Sequence, residues 1–438
     1  MLRSTIAALL LVTVPAPAGP VFEPGVDELR QCHAALHDFE GRTSPPPADL
    51  TTLIDDHLAD SRLDDAALGL SIWVEGYGEL AESLSRLRLR PASNQKILTA
   101  MGALELLGPD STLATTVAAT SQPSDGSVNG DLVLIGGGDP SLAADGPRSL
   151  ESLAQSVRSA GITRVTGDLV IDESRYDTVR RHQSWSLFVA PEWVGSLSAL
   201  MVDENRWSAE ASFLANPALG NGVLFRSALA RAGVVVEGAI GIGQAATPVH
   251  PVASVESPPM ADLVAEMMTE SNNTYAEMLV KEIGWATSGV GSTQAGLTAI
   301  QEALRPWCLE PDILQNDGSG LSNGNFRPVR SWRLLLSAAH QAEWWPDFVD
   351  SLAVAGQTGT LQWRFRDTAA QGNLRAKTGT ISGVRALSGT METADGREVV
   401  FSAIIHDRDQ PRRAFTAVDD LLVALANWPE PPDAELES

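Results

Sequence analysis

Lysine is rare in this chain, and its positions point to candidate chemistry. Among 31 basic residues, lysine stands only at positions 96, 281 and 377, and all the others are arginine. Arginine is never deprotonated in proteins, whereas a lysine that is buried or placed beside another cation can become a neutral base. A chain that avoids lysine is expected to keep it where arginine cannot substitute. Lys96 and Lys377 both lie in short motifs that need such an amine.

The first motif is Ser93-Asn94-Gln95-Lys96, which precedes a strongly apolar run. That run, Ile97–Leu107, predicts a helix that stops at Gly108, so Ser93 should lie at the helix N-terminus. A serine and a lysine three positions apart share one helical face, and the N-terminus favours a developing anion on the serine oxygen. Such an arrangement would suit Ser93 as a nucleophile and Lys96 as its proton acceptor. Taken alone, however, the motif is a weak signal, and an ordinary helix cap is the favoured interpretation.

The second motif is Lys377-Thr378-Gly379-Thr380, in the first of three successive strand candidates. Glycine leaves room for a substrate backbone beside the strand, and the lysine and threonines can bind a carboxylate by charge and hydrogen bonds. A strand with a surface lysine is the alternative. The upstream stretch Gln357–Thr360 repeats the pattern without the amine, so we assign it no catalytic role.

A third motif, Ser271-Asn272-Asn273, falls within a long helical region predicted over Pro259–Ile283. Alone it reads as a polar turn or a helix kink. The three motifs together follow the order Ser-x-x-Lys, Ser-x-Asn, Lys-Thr-Gly, which is typical of penicillin-binding proteins and serine β-lactamases. Three further segments resemble the corresponding segments of one group of penicillin-binding proteins: Gly136–Pro140, Ser257–Pro259 and Asp317–Leu321. Over nearly its whole length the chain resembles penicillin-binding protein 4 type D-alanyl-D-alanine carboxypeptidases.

The resemblance implies roles for these residues. Neutral Lys96 would take the proton of Ser93 as it attacks the carbonyl between two D-alanines of a peptidoglycan stem peptide. Ser271 would pass a proton to the leaving D-alanine, and Asn273 would hold the substrate amide. Lys377 would lower the pKa of Lys96 and attract the terminal carboxylate. The backbone amides of Ser93 and Thr380 would form the oxyanion hole.

By the same resemblance, β-lactams would acylate Ser93, and the reaction would need no cofactor. Lys281 has no place in this scheme and is read as a solvated surface residue. The Asp317–Leu321 turn is read as structural and left out of the site.

The elements that must position these residues predict an α+β fold. Strand patterns at Ala67–Glu75, Asn373–Thr380, Val384–Glu392 and Arg397–His406 and helices around them predict an antiparallel sheet flanked by helices, as in the β-lactamase/transpeptidase fold. Asp395-Gly396 predicts a hairpin between the last two strands. A smaller, β-rich mixed domain interrupts this one. The predicted divisions are 22–111 and 258–428 for the catalytic domain, 112–257 for the inserted domain, and 429–438 for an acidic tail.

Composition limits the partners and the location. The formal net charge of -24 makes nucleic acid and anionic lipid poor partners. Residues 1–18 read as an export signal, and no later stretch is a candidate membrane span, so a periplasmic or extracellular protein is expected. The two cysteines, Cys32 and Cys308, can form a disulfide or remain free. No metal-ligand spacing occurs among the histidines and cysteines, and the oligomeric state stays open.

Two other functions fit parts of the sequence. A serine β-lactamase or esterase on the same fold would need a carboxylate that positions water for deacylation, and none can be singled out among 55 acidic residues. A catalytically idle cell-wall or β-lactam-binding protein would have no need to retain its rare lysines in the motifs.

Overall fold

The computed structural model describes residues 32, 34, 36–37, 39–41, 43–185, 193–206, 216–245, 249–309 and 314–429. The predicted export signal and nearly all of the acidic tail lie outside the described residues. In the described part of the chain, none of the helices is long and apolar enough to cross a bilayer.

The described secondary structure alternates helices and strands throughout. The helices are α1 Ala48–Leu58, α2 Lys96–Leu107, α3 Leu150–Ser159, α4 Pro217–Arg231, α5 Met260–Thr269, α6 Asn273–Ser288, α7 Thr293–Ala303, α8 Val329–Ala339, α9 Trp345–Ser351 and α10 Pro411–Ala426. The strands are β1 Ala67–Val74, β2 Gly78–Ser83, β3 Arg88–Leu89, β4 Ala114–Ala119, β5 Ser127–Val128, β6 Leu132–Ile135, β7 Arg164–Val165, β8 Leu169–Asp172, β9 Val235–Val236, β10 Ile240–Ile242, β11 His250–Glu256, β12 Arg327–Pro328, β13 Ala353–Val354, β14 Arg375–Ile381, β15 Val384–Glu392 and β16 Glu398–His406.

The larger sheet has six strands in the order β13-β14-β15-β16-β1-β2, and every neighbouring pair is antiparallel. Helices cover both of its faces. Leu70 and Ile72 of β1 pack into the core beneath α1 and α10, whereas Trp73 packs into the opposite core that contains α2. Both faces are therefore buried, and this confirms the predicted α+β arrangement of an antiparallel sheet flanked by helices.

A second, smaller sheet has five strands in the order β10-β8-β6-β4-β11 and mixes parallel and antiparallel pairs. Helices α3 and α4 pack on it in a separate core. Helical spacing over Ser149–Ala160 predicts α3, whereas the sequence pattern gives no helix where α4 lies, and α4 contains two glycines. Gly222 is required there, because a Cβ at this position would lie within 3 Å of Ile171 and Ile240 side-chain atoms.

All five strands of the smaller sheet fall between residues 114 and 256. Where the chain enters and leaves this region, the two segments are bonded together: the Ser257 amide donates to the Leu113 carbonyl at 2.9 Å, and the Leu113 amide donates to Ser257 Oγ at 3.0 Å. The predicted boundaries at residues 112 and 257 remain predictions, and this pairing supports them.

The helical region predicted over Pro259–Ile283 is divided into α5 and α6. Ser271 has a φ of +61°, in the left-handed region, which interrupts the helix. Asn272 then caps α6, because its side-chain oxygen accepts from the amides of Thr274 and Tyr275. The Ser-x-Asn motif is thus the start of a new helix rather than part of a long one.

The two cysteines are joined. Cys32 and Cys308 form a disulfide with their Cα atoms 4.9 Å apart. This decides between the two possibilities that the sequence left open and ties the N-terminal segment to the region after α7.

Candidate active site

Ser93 and Lys96 lie together at the start of α2. Residues Ala92–Gln95 form a 3-10 turn, the α-helix begins at Lys96, and Lys96 Nζ lies 3.2 Å from Ser93 Oγ. Gly320 packs against this turn, where an added Cβ would come within 1.9 Å of the Ala92 carbonyl oxygen. Glycine at position 320 therefore lets a second segment approach the turn that carries Ser93.

The amine of Lys96 is completely buried, and its hydrogen-bond partners among the described residues are uncharged oxygens. Besides Ser93 Oγ, Nζ donates to Asn273 Oδ1 at 2.6 Å and to the Ser319 carbonyl at 2.7 Å. Burial lowers the pKa of Lys96 to about 7, against the opposing charges of Asp317 and Glu277. Burial, rather than the charge of Lys377 expected from the sequence, is thus the main cause. A large share of the amine is neutral near pH 7.

The turn Asp317–Leu321 belongs to the site, contrary to its reading as merely structural. Asp317 holds the turn together, since its carboxylate accepts from the Gly320 amide at 2.9 Å and the Ser322 amide at 2.6 Å. This arrangement presents the Ser319 carbonyl to Lys96. The turn therefore fixes the position of the Lys96 amine.

Glu277 is a further buried group that the sequence analysis missed. It lies one turn after Asn273 on α6, and its Oε1 accepts from the Gly318 and Ser319 amides at 3.1 and 2.8 Å. Burial raises the pKa of Glu277 to about 8, and the charge of Asp317 adds to the shift. The spacing of four from Asn273 on one helical face was the available signal.

Ser271 and Lys377 form a second hydroxyl–amine pair. Lys377 Nζ donates to Ser271 Oγ at 2.8 Å and to the Thr378 carbonyl at 3.0 Å. Burial, and then the charge of Lys96, lowers the pKa of Lys377 well below its usual range. The amine can therefore relay a proton through the Ser271 hydroxyl.

Asn273 bonds both to Lys96 at the start of α2 and to Trp193, which also lines the cleft. Its Oδ1 accepts from Lys96, and its Nδ2 donates to the Trp193 carbonyl at 2.8 Å. Both ends of the amide are thereby fixed in orientation.

Strand β14 forms one wall of a cleft of about 1140 Å³ that Ser93, Ser271 and Asn273 also line. Because β13 pairs only with Arg375 and Ala376, the edge of β14 from residue 377 onward is open to the cleft. At Gly379 a Cβ would lie 2.8 Å from the Pro91 carbonyl oxygen. The glycine is therefore needed for packing against the Ser93 turn, in addition to the room for substrate that the sequence suggested.

The repeated motif Gln357–Thr360 also reaches the cleft. Thr360 lines it, and Thr378 Oγ1 donates to Thr360 Oγ1 at 2.8 Å. The motif was assigned no catalytic role, and among the described residues none of its hydrogen bonds reaches Ser93 or Lys96. Thr360 instead holds the hydroxyl of Thr378.

The prediction that Lys281 is a solvated surface residue is wrong. Its side chain is only 1% exposed, and Nζ forms an ion pair with Asp177. The cause is tertiary: the segment that carries Asp177 packs against α6, as shown by the bonds that Arg175 and Tyr176 donate to Glu282 of that helix. Sequence spacing alone could not indicate this partner.

The residues brought together can perform acyl transfer. A hydroxyl lies beside an amine that is partly neutral near pH 7, a second hydroxyl lies beside a second amine, and a strand edge is free to pair with an extended peptide. Over the described ranges, no group of three or more histidine, cysteine, aspartate or glutamate side chains converges as a metal site would require.

Comparisons with known proteins agree with this geometry. The model of the D-Ala-D-Ala carboxypeptidase 3 (S13) family matches residues 50–221 and 211–425. A D-alanyl-D-alanine carboxypeptidase from Actinomadura sp. (strain R39) is 33% identical, over 86% of this chain and 84% of the relative. Carboxypeptidase DacB from Mycolicibacterium smegmatis is 31% identical, over 84% of this chain and 80% of its own.

Solved structures show the same fold. Penicillin-binding protein 4 from Haemophilus influenzae superimposes with a TM-score of 0.75 at 20% identity, covering 87% of this chain and 98% of that protein. Because the family model and the relatives extend over most of the sequence, the chain belongs to the D-Ala-D-Ala carboxypeptidase 3 (S13) family and is a serine peptidase.

Proposed function

We propose that the cleft hydrolyses the D-Ala–D-Ala bond of peptidoglycan stem peptides, with Ser93 as nucleophile and Lys96 as its base. The observation that carries this proposal is the Lys96 amine, which lies 3.2 Å from Ser93 Oγ and, in the part of the chain that the structure describes, bonds to no carboxylate. A pKa of about 7 leaves it able to accept a proton at neutral pH.

In the acylation step, Ser93 Oγ attacks the carbonyl carbon of the penultimate D-alanine and its proton passes to Lys96 Nζ. The carbonyl oxygen becomes an oxyanion, for which the backbone amides of Ser93 and Thr380 are the proposed donors. Each such donor is worth about 3–4 kcal/mol in other enzymes. Ser271, bonded to Lys377, then gives a proton to the leaving amine as the peptide C–N bond breaks, and the proton that Lys96 took from Ser93 replaces it, so that both Ser271 and Lys96 are restored.

Hydrolysis of the acyl-enzyme completes the cycle. Water adds to the ester carbonyl, Lys96 again serves as the base, and Ser93 is released with its proton restored. Asn273, Thr378, Gly379 and Thr380 would hold the peptide against β14 during both steps. A β-lactam presents the same carbonyl but keeps its leaving group tethered, so it would trap Ser93 as a slowly hydrolysed ester.

The substrate class rests on the relatives. The Actinomadura relative is named a D-alanyl-D-alanine carboxypeptidase, and a Haemophilus influenzae neighbour is complexed with a β-lactam. Predatory endopeptidases from Bdellovibrio bacteriovorus share the fold, with a TM-score of 0.55 for one of them. We therefore include cleavage of cross-linked peptides in the proposal. Action on the cell wall outside the cytoplasm also fits the disulfide, because disulfides persist in oxidising compartments.

Labelling with a fluorescent penicillin tests the nucleophile. We expect covalent labelling of the wild-type protein and none of Ser93→Ala, with Ser83→Ala on the distant strand β2 as a matched control that still labels. Equal labelling of Ser93→Ala and wild type would overturn the assignment of Ser93.

Incubation with stem peptides and cross-linked muropeptides tests the reaction. Release of D-alanine, or of cleaved dimers, is the expected result. Rapid turnover of penicillin without peptide cleavage would instead support a β-lactamase, which would need a carboxylate to position water. Of the described residues lining the cleft, Asp419 alone is acidic, and it is bonded to Arg364. Labelling with no turnover of any substrate would support a binding protein.

A further inference from the structure

One end of the cleft carries arginines that the acyl-transfer steps do not use. Arg364, Arg385 and Arg412 all line it. The chain as a whole has a formal net charge of -24, so its general field repels anions. A group of cations in a cleft of so acidic a protein indicates a local site for an anion.

Only one of these arginines is neutralised. Arg364 Nε donates to Asp419 Oδ2 at 2.8 Å, and its guanidinium stacks over the Phe415 ring. Arg385 donates to the Val384 carbonyl at 2.9 Å, which carries no net charge. Within the described part of the chain, neither Arg385 nor Arg412 has a carboxylate partner. Burial, and then the charges of Arg412 and Arg364, lowers the pKa of Arg385, as expected for cations held close together.

Arg412 occupies an electrostatically unfavourable position. It lies in the first turn of α10, which contains no acidic residue. The amides at a helix N-terminus already present positive charge there, and a cation in that turn is disfavoured. Both the helix end and the two unpaired arginines would be stabilised by a bound anion.

Strand register places Arg385 beside the threonines of the Lys-Thr-Gly-Thr motif. Thr380 and Arg385 are directly paired between β14 and β15, so their side chains lie on the same face of the sheet. Thr378 shares that face because side chains alternate along a strand. Lys377 lies on the other face, completely buried and bonded to Ser271. Its charge is therefore poorly placed to bind an anion held by the two threonines.

We propose that Arg385 and Arg412 bind the carboxylate of the leaving D-amino acid, together with the hydroxyls of Thr378 and Thr380. This inference rests on the proposed function, since it assigns the charge recognition of the same substrate. It makes the arginines determinants of specificity for peptides with a free C-terminal carboxylate, and it leaves Lys377 to act on Ser271.

Two substrates with the same acyl group separate carboxylate recognition from the chemistry. One is an acyl-D-Ala-D-Ala peptide, and the other is the acyl-D-alanine 4-nitrophenyl ester, whose leaving group has no carboxylate. For Arg385→Gln we expect kcat/KM on the peptide to fall about 10- to 100-fold, as for loss of a charge-assisted hydrogen bond. Turnover of the ester should change less than about twofold, because Arg385 then has nothing to bind. Arg385→Lys should recover part of the loss.

Arg412→Gln should act in the same direction, and Arg413→Gln is its matched control. Arg413 adjoins Arg412 in the same turn but does not line the cleft. The preference is the ratio of kcat/KM on the peptide to kcat/KM on the ester. If Arg412→Gln lowers this ratio and Arg413→Gln does not, the result would support the subsite even if Arg385→Gln did not fold. An equal fall on peptide and ester, or an unchanged preference in both cleft variants, would overturn the inference. Failure of the wild type to turn over either substrate would instead overturn the proposed function.

Discussion

Lys96 and Lys281 lie on packed helices at nearly the same depth, yet their surroundings differ in one respect. The two side chains are 0% and 1% exposed. Lys96 contacts a hydroxyl, an amide oxygen and a backbone carbonyl, whereas Lys281 contacts the carboxylate of Asp177. Withdrawal from water disfavours a charged amine in both places, but of the two side chains only that of Lys281 is bonded directly to a carboxylate. Burial alone therefore does not make a lysine a candidate base, because the charge of its bonded partner also matters.

Replacing each lysine tests this comparison most strongly. We expect Lys96→Met to lower kcat/KM for D-alanine release by about 10²- to 10⁴-fold, because the base for Ser93 is lost. Lys96→Arg should be equally inactive, since arginine stays protonated. Lys281→Met should retain activity within about threefold, measured on the fraction that is folded. A comparable loss of activity in Lys281→Met would contradict the division of roles.

The ion pair should affect stability rather than catalysis. Asp177→Asn leaves a buried cation without its anion, which costs about 3–5 kcal/mol in a fully buried pair. Because the Asp177 side chain is 34% exposed, we expect about 2–3 kcal/mol, measured as the free energy of unfolding in urea. The double variant Asp177→Asn with Lys281→Met should regain part of this loss. Unchanged stability with reduced kcat would place Lys281 in the reaction instead.

The smallest expected effect is a shift in how kcat/KM depends on pH. Only neutral Lys96 accepts a proton, so kcat/KM should increase as the pH is raised through about 7 and should decrease at lower pH. The negative charge of Glu277 raises the pKa of Lys96, so Glu277→Gln should move this limb to lower pH. The displacement should be small, because the pKa of Glu277, about 8, keeps that carboxyl largely protonated at neutral pH. Glu282→Gln, whose partner is Arg175, should leave the limb in place, and a shift toward higher pH in Glu277→Gln would refute the reasoning.

Local patterns in the sequence predicted much of the catalytic framework. The helix after Ser93 and the strands ending in the Asp395-Gly396 hairpin were expected within a residue or two of their observed bounds. These elements depend on apolar spacing and turn residues, which are local properties. Helix α4 was missed because its two glycines weaken the local signal, and the requirement for Gly222 comes from side chains distant in the sequence.

The sequence by itself determined the three motifs, their order and the family they indicate, because residue type and spacing along a helix or strand decide which groups can share a face. Only the tertiary structure decided which buried lysine lies beside a carboxylate and which lies beside uncharged oxygens. The carboxylate that pairs with Lys281 lies 104 residues away in the chain, and the carbonyl that receives the Lys96 amine lies 223 residues away. The charge state of a buried amine depends on such distant partners and on exclusion of water, and neither is encoded in local spacing.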